Sequence, residues 1–200
     1  MESLPFSQAA ENNREPILQQ LRRFLRDAES VMEIGAGTGQ HATYFASQLP
    51  HLVWRPTEQP DALATLGPRC QAAGLANVAA PVALDMAVRP WPGPWPDAIY
   101  TANTLHIVSE ALVAEFFGAC GEQASAGSLL LVYGPFNYNG QYTAASNERF
   151  DGWLKERDVR SGIRDFEWVD GLANAAGYGL LEDVAMPANN RLLCWELGRE

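Results

Sequence analysis

Apolar residues in this chain fall alternately into short runs and into stretches with helical spacing. Behind Pro16, a residue suited to the first position of a helix, they recur at helical intervals as far as Leu25 and predict a first helix. Short apolar runs predict strands at Ser30 to Ile34, Leu52 to Thr57, Val78 to Leu84, Ala98 to Ala102, Leu129 to Tyr133, Leu180 to Met186 and Arg191 to Leu197. Helical spacing predicts further helices at Ala42 to Leu49, Asp61 to Ala73, Ser109 to Cys120, Phe150 to Leu154 and Val169 to Ala176.

This order of elements predicts an α/β fold. Repeated strand–helix units favour a doubly wound, mostly parallel sheet that helices cover on both faces. The last two strands are separated only by a turn at Pro187 to Asn190, which predicts a C-terminal antiparallel hairpin. Arg89 to Pro96 contains four prolines and must be an irregular loop. Because no linker or repeat divides the chain, we expect a single domain over residues 1–200.

The charge balance limits the classes of partner. Twenty-four Asp and Glu against 14 Lys and Arg give a formal net charge of −10. Such a charge repels phosphate backbones and anionic membrane surfaces unless basic residues cluster. The densest basic group is Arg22, Arg23 and Arg26, close to the first predicted helix. We therefore expect neither nucleic acid nor a membrane as a partner.

The cysteines and the N-terminus bear on the compartment. Cys70, Cys120 and Cys194 are odd in number and far apart, without the spacing of a zinc site or a disulfide framework. They predict buried thiols in a reducing environment. Met1 to Pro5 lacks the features of a signal peptide, and Leu129 to Tyr133, the longest apolar run, is too short to span a membrane. We expect a cytoplasmic protein without a metal site.

The first candidate for chemistry is the segment from Glu33 to Gly39, with the sequence Glu-Ile-Gly-Ala-Gly-Thr-Gly. In a doubly wound sheet, ligands bind beyond the carboxyl ends of the strands, and this segment leaves the strand at Ser30 to Ile34. Gln40 stands where a dinucleotide-binding fingerprint has its third glycine, and the Gly-Lys-Ser/Thr of a phosphate-binding Walker loop is absent. The segment resembles the E/D-x-G-x-G-x-G signature of class I methyltransferases that use S-adenosylmethionine (SAM).

This resemblance implies a cofactor site. Glycines admit a ligand where a Cβ would clash. The residues that would line the cofactor are Gly35, Ala36, Gly37, Thr38 and Gly39. Glu33 would lie near its cationic methionine end, because a carboxylate attracts a sulfonium and an ammonium but repels phosphate. A tight strand-to-helix turn without a ligand is the alternative interpretation.

Acids after the next two strands extend the candidate site. Glu58 follows the second predicted strand, where an adenosine-binding fold has an acid that accepts hydrogen bonds from the ribose hydroxyls. A solvated loop carboxylate is the alternative. Asp85 and Met86 follow the third strand and resemble the adenine-contacting acid and its apolar neighbour in this class of methyltransferases. For Asp85, capping of a helix is the alternative.

Polar side chains also follow the fourth strand. Asn103 can hydrogen-bond the amino acid moiety of the cofactor or a substrate. His106 could act as a general base, because the unperturbed pKa of histidine is about 6.5, or it could be a structural histidine. His41, on the first turn of the helix after the glycines, has the same two interpretations. His51, beside Pro50, is predicted to lie on the surface.

Four separated strings match one family. They are Asn13 to Ile17 (NREPI), Gly37 to Ala42 (GTGQHA), Tyr133 to Phe136 (YGPF) and Met186 to Asn190 (MPANN). Together they resemble the methyltransferase-like family called domain of unknown function 938, over nearly the whole chain. Ala36 and Glu58 depart from the residues usual in the family, and neither departure abolishes the contacts proposed for them.

The family resemblance implies a seven-stranded, Rossmann-like class I methyltransferase fold with SAM as cofactor. It also implies roles at the site for Asn13, Arg14, Tyr133 and Asn190, of which Arg14 and His41 join the predicted cofactor residues. We take Tyr133 with His106 as the candidate catalytic residues. Structural alternatives stay open, because Tyr133 begins a Gly-Pro turn and Asn190 suits a hairpin with φ above zero.

The sequence therefore predicts a SAM-dependent methyltransferase that acts on a small molecule or a protein side chain. A non-catalytic SAM-binding module is the first alternative. A nicotinamide-dependent oxidoreductase is the second, and Gln40 in the place of a glycine disfavours it.

Overall fold

A computed structural model describes residues 4–198, so Met1 to Ser3, on which part of the leader prediction depends, lie outside the described residues. The strands are β1 (Ser30–Ile34), β2 (Val53–Glu58), β3 (Val82–Ala83), β4 (Ala98–Ala102), β5 (Leu129–Gly134), β6 (Phe136–Asn137), β7 (Arg164–Asp165), β8 (Tyr178–Met186) and β9 (Asn190–Leu197). The helices are α1 (Gln8–Phe24), α2 (Gln40–Gln48), α3 (Leu63–Ala73), α4 (Glu110–Gln123), α5 (Ala145–Arg157) and α6 (Phe166–Ala175), and a 3-10 turn spans Pro187–Asn189.

Seven of the strands form one sheet, in the order β3-β2-β1-β4-β5-β9-β8. β1 pairs in parallel with β2 and with β4, whereas β9 is antiparallel to β5 and to β8. The doubly wound, mostly parallel sheet with an antiparallel C-terminal hairpin is thus confirmed. The strand order reverses between β1 and β4, and in open α/β sheets this reversal marks the place where ligands bind.

Contacts within the chain group it into two compact units. The first comprises the chain up to Asp85 together with Pro92–Thr101, and the second comprises Met86–Trp91 and the chain from Ala102 onward. The single domain over residues 1–200 stays a prediction.

The core of the first unit lies against β1. Four of the five residues of β1 are buried, as expected for a strand that is paired on both sides and covered on both faces. The rings of Phe45, Trp54 and Tyr100 pack against one another with centroids 5.5 to 5.8 Å apart. Offset and edge-to-face contacts of this kind add to the free energy of area burial and hold α2 on the sheet.

The core of the second unit lies between α4 and the C-terminal strands. Phe117 makes edge-to-face contacts with Phe116 and with Trp195, at centroid distances of 5.1 and 6.0 Å. α4 begins after Ser109, whose hydroxyl accepts a hydrogen bond from the Leu112 backbone N–H, as its N-cap position predicts. The apolar spacing predicts an inner face of Leu112, Val113, Phe116, Phe117 and Cys120. All of these except Leu112, which is only partly buried, are buried in the structure.

Two predicted elements are wrong in extent. α1 begins at Gln8, not at Pro16, and Pro16 lies inside the helix. The first two turns carry mostly polar residues, so no apolar repeat marks them, and the true N-cap is Ser7, whose hydroxyl accepts from Ala10 N–H. The strand predicted at Val78 to Leu84 is reduced to the two residues of β3, because the segment contains Pro81, which has no N–H for the ladder.

Smaller expectations can also be compared with the structure. β1 and β4 have the predicted bounds, and the other elements differ from the prediction by one to five residues at an end. β6 and β7, two residues each, were not predicted. The three cysteines are buried and form no disulfide, His51 is exposed, and Arg89 to Pro96 is irregular, all as predicted. Trp153, expected on a helix face, is on α5 but 48% exposed. Within residues 4–198, no helix is long and apolar enough to cross a membrane.

Candidate functional site

The loop after β1 adopts a backbone that requires glycine. Gly35, Gly37 and Gly39 have φ of 70°, 55° and 74°, in the left-handed region. The loop is tied to β2 by a hydrogen bond from Ala36 N–H to the Thr57 carbonyl, 2.9 Å long, and closed by one from Gly39 N–H to the Ala36 carbonyl. The glycine spacing read from the sequence therefore corresponds to a rigid turn at the start of α2.

The glycines differ in what surrounds them. A Cβ added at Gly37 would meet no described atom within 4 Å, so this position borders open space. A Cβ added at Gly39 would lie 2.9 Å from Leu66 Cδ1, so Gly39 is required by the packing of α2 near α3. Open space beside a left-handed backbone is the arrangement that lets a ligand approach the chain closely.

Glu33 lies at the base of this loop and is almost completely buried, at 2% exposure. The Trp54 indole N–H donates to its Oε2 at 2.7 Å, and the Thr57 hydroxyl donates to its backbone carbonyl at 2.8 Å. Burial raises the pKa of Glu33 to about 8. The hydrogen bond from Trp54 lowers this pKa, and the negative charge of Glu58 raises it. The side chain is therefore protonated at neutral pH unless a cation is bound, which differs from the ionised group assumed from the sequence.

Glu58, the last residue of β2, reaches the glycine loop. Its Oε2 accepts from Gly37 N–H at 2.7 Å, and its Oε1 accepts from Gln59 N–H at 2.8 Å. The acid is therefore not merely a solvated loop carboxylate, since it fixes the loop backbone. Each carboxylate oxygen retains a lone pair that can accept a hydroxyl donor.

His41 is held on both sides by neutral partners. Its Nε2 lies 2.7 Å from Asn13 Oδ1, and its Nδ1 lies 3.3 Å from the Tyr100 hydroxyl. Burial lowers the pKa of His41 to about 4, so the ring is neutral at physiological pH. His41 and Asn13 thus join α1 to α2, a structural role that leaves a contact with a cofactor as a prediction.

The surroundings of the other predicted cofactor residues differ from one another. Arg14, on α1, forms an ion pair with Glu11 at 2.7 Å and lies over the ring of Tyr44 at 4.5 Å. Asp85 is exposed and follows β3 without a helix after it, so the helix-capping interpretation is wrong. Met86, in the second unit, is buried.

Asn103 follows β4 and has φ of 58°, an unusual backbone for a residue other than glycine. Its N–H donates to the carbonyl of Tyr133, on β5, at 2.8 Å. Tyr133 itself is buried, at 3% exposure. This bond brings together, within the second unit, one predicted cofactor residue and one predicted catalytic residue.

His106 is buried on the loop before α4. The rings of His106 and Phe150 form a T-shaped contact, with their centroids 5.3 Å apart. Burial lowers the pKa of His106 to about 4, and the positive charge of Arg164 lowers it further. Neither ring nitrogen has a hydrogen-bond partner among residues 4–198, so a lone pair of the neutral imidazole is available, although the lowered pKa makes it a weaker base than an exposed histidine.

The loop that carries His106 is held by Arg164. The guanidinium, 6% exposed, donates to the carbonyls of Leu105 and Val108. The His106 carbonyl in turn accepts from Gly162 N–H at 2.9 Å. These bonds fix the position of the histidine, a feature that a catalytic group requires and that sequence spacing did not reveal.

A cavity of about 360 Å³ opens in the second unit. It is lined by Asn103, Pro135, Ser146, Asn147, Phe150, Ala188, Asn189 and Asn190. Of these residues, the sequence pointed to Asn103 from its place after β4, and to Asn190 only through the family resemblance. The sequence analysis did not identify Ser146, Asn147 and Phe150 as site residues. They lie on a helix, and the sequence of a helix does not show which of its residues will contact a turn that is distant along the chain. Among the described residues, no group of three or more His, Cys, Asp or Glu could hold a metal ion.

Comparison with solved structures identifies proteins with the same fold. The chain is similar to an O-methyltransferase family protein from Burkholderia thailandensis, with 16% identity and a TM-score of 0.81 over 92% of this chain and 56% of that one. It is similar to an O-methyltransferase family 2 protein from Planctomyces limnophilus in complex with apigenin, with 17% identity and a TM-score of 0.80 over 94% and 57%. It is also similar to human N-acetylserotonin methyltransferase in complex with SAM, with 15% identity and a TM-score of 0.70 over 96% and 58%. The chain spans a little more than half the length of these proteins.

The strand order, the glycine loop and these similarities define the Rossmann-like fold of class I methyltransferases. A family model described as Protein of unknown function (DUF938) matches residues 4–197. The chain belongs to this family, as the four sequence strings implied.

Proposed function

We propose that this protein is a SAM-dependent methyltransferase. The observation that carries the proposal is the open space at Gly37, whose left-handed backbone is bonded to Glu58 and follows the buried Glu33. The fold that the chain shares with methyltransferases, one of them solved with SAM, supports the same function.

Glu33 and Glu58, both in the first unit, fit this cofactor. Glu33 is a buried acid without a cationic partner among its described contacts, so the ammonium or sulfonium of SAM would favour its ionised form. Glu58 can accept ribose hydroxyls while it retains Gly37 N–H. Asp85 and Met86 would contact the adenine, and Asn103 would bind the amino acid moiety or the acceptor.

When bound, SAM supplies a methyl group on a sulfonium, which is an activated leaving group. Where the acceptor is a hydroxyl, His106 would be the residue that takes its proton, because neither ring nitrogen is hydrogen-bonded within residues 4–198. The other residues position the reactants, and positioning alone can supply much of the acceleration.

Isothermal titration calorimetry with SAM on two matched glycine variants tests the proposal. Gly37 and Gly74 both have left-handed φ, at 55° and 59°, and an added Cβ meets nothing within 4 Å at either position. Gly37→Ala and Gly74→Ala should therefore lose a similar unfolding free energy, about 1 to 2 kcal/mol. Only Gly37→Ala should lose SAM affinity, by about tenfold or more, since Gly74 is the C-cap of α3 and not part of the glycine loop.

Unchanged SAM affinity in Gly37→Ala would remove the glycine loop from the cofactor site. Absence of SAM binding by the wild-type protein would refute the proposed function. Binding without any consumption of SAM on fractionated metabolite extracts would favour the non-catalytic SAM-binding module instead.

A further inference from the structure

We propose that the 360 Å³ cavity of the second unit binds the methyl acceptor, and that this acceptor is an uncharged, ring-bearing small molecule with a hydroxyl or N–H donor. The proposal rests on the proposed function, and it adds the chemical class of the acceptor. Asn103, which follows β4 at the reversal of strand order, lines this cavity.

The cavity wall carries no charge. Among the described residues, its lining contains four asparagines, a serine and three apolar residues, and no Asp, Glu, Lys, Arg or His. A carboxylate or an ammonium that entered would lose hydration without an opposite charge to compensate it. The lining therefore selects for molecules that are neutral at physiological pH.

The asparagines favour a ligand that donates hydrogen bonds. Asn147 Nδ2 donates to the Asn189 carbonyl at 3.2 Å, and Asn190 Nδ2 donates to the Pro187 carbonyl at 3.2 Å. A backbone carbonyl can only accept, so these bonds fix which side of each amide carries the NH₂ group. No residue within 4–198 donates to Asn147 Oδ1 or Asn190 Oδ1, so both oxygens are available to a ligand's O–H or N–H.

The wall that holds these oxygens is built by the turn between β8 and β9. Ala188 and Asn189 have consecutive left-handed φ, at 59° and 57°. Asn147, on α5 and 5% exposed, supports this turn through its bond to Asn189, and Asn189 Nδ2 reaches the Ser146 hydroxyl at 3.2 Å. The polar wall is therefore pre-formed, as ligand pockets usually are.

The apolar part of the lining suits a ring. Phe150 stacks on Trp153 at 5.8 Å and meets His106 edge-on at 5.3 Å, so its ring is held from two sides. Pro135, directly after β5, adds a second apolar surface. Since drug-sized molecules occupy pockets of about 300 to 1,000 Å³, this cavity fits a single small ring system.

Binding of two probes with the same ring and hydroxyl, one neutral and one anionic, tests the proposal on the full chain. Para-hydroxybenzamide is neutral, and para-hydroxybenzoate has the same ring and hydroxyl with a carboxylate. In ligand-observed NMR titrations we expect the amide to bind at least about tenfold more tightly than the benzoate. Ser146→Arg, a change at the exposed part of the lining, should reverse this preference.

Asparagine variants test the role of the amide oxygens. Asn190→Ala should weaken the binding of para-hydroxybenzamide by about three- to tenfold. Asn174→Ala is the matched control, because Asn174 Nδ2 also donates to a backbone carbonyl, that of Asp170, but the residue does not line the cavity. It should leave probe affinity unchanged.

SAM calorimetry on the same protein separates the two proposals. If SAM binds but neither probe does, or if both probes bind equally, the acceptor class is overturned and the proposed function stands. If Asn190→Ala binds the amide as the wild type does, the asparagine argument is refuted. If the probes bind as expected and SAM does not, the proposed function fails, and the cavity loses its assignment as an acceptor site.

Discussion

Replacement of Glu33 by Gln tests whether burial raises the pKa of this acid, which lies at the base of the glycine loop. Gln is nearly isosteric and its amide oxygen can still accept the 2.7 Å hydrogen bond from Trp54. It cannot ionise. The substitution therefore removes the titration of Glu33 and retains its packing.

The magnitude follows from the pKa of Glu33, which burial raises from 4.5 to about 8. Below pH 4.5 the group is protonated in both the folded and the unfolded chain. Between these values the folded chain binds more protons than the unfolded chain, so the unfolding free energy falls as pH rises and levels off above the folded pKa. Between pH 6 and pH 8, the titration of Glu33 alone should lower the unfolding free energy by about 2 kcal/mol. For a chain of this size, that loss lowers Tm by about 4 to 8 °C.

Thermal and urea unfolding at pH 6, 7 and 8 measures the effect without ligand. The difference in unfolding free energy between Glu33→Gln and the wild type should shift in favour of the variant by about 2 kcal/mol over this range. Glu156→Gln, at an exposed position of α5, is the control and should follow the wild type at every pH. A difference between Glu33→Gln and wild type that does not change with pH would refute the reasoning.

Three further perturbations have distinct readouts. Glu58→Ala should weaken SAM binding by about 1.5 to 3 kcal/mol and Glu58→Asp should retain part of the affinity, as measured by calorimetry; wild-type affinity in both would place the ribose acid elsewhere. His106→Gln should lower turnover by about 10² to 10⁴ with little change in SAM affinity, and full activity would exclude it as the base. A Tm loss together with weaker SAM binding would instead make His106 structural. Ser109→Ala should cost about 1 kcal/mol of unfolding free energy through the lost N-cap bond and leave SAM affinity unchanged, so an unaltered Tm would contradict the cap assignment.

Local patterns in the sequence determined the strands and helices that surround the glycine loop. β1 and β4 were predicted at their observed bounds, because a short apolar run is sufficient to mark a strand that is buried on both faces. The predicted start of α1 and the predicted length of β3 were wrong. A polar helix turn and an edge strand interrupted by a proline have no hydrophobic periodicity from which their bounds could be predicted.

The chemical state of the site residues depended on tertiary structure. The sequence identified Glu33 as an acid near the loop, but only its burial beside Trp54 raises its pKa to about 8. In the same way, His41 and His106 were equivalent in sequence. The structure distinguishes them, because His41 has partners at both ring nitrogens and His106 has none within residues 4–198.

The sequence by itself determined the order of the helices and of the seven strands of the main sheet, the glycine turn and the acid at the end of β2, because each is encoded in neighbouring residues. The tertiary structure alone decided that Asn147 on α5 meets Asn189 in the β8–β9 turn and that Phe150 meets His106. These contacts join residues that are distant along the chain. Their free energy comes from burial and hydrogen bonds that exist only once the chain has folded, so no local pattern predicts them.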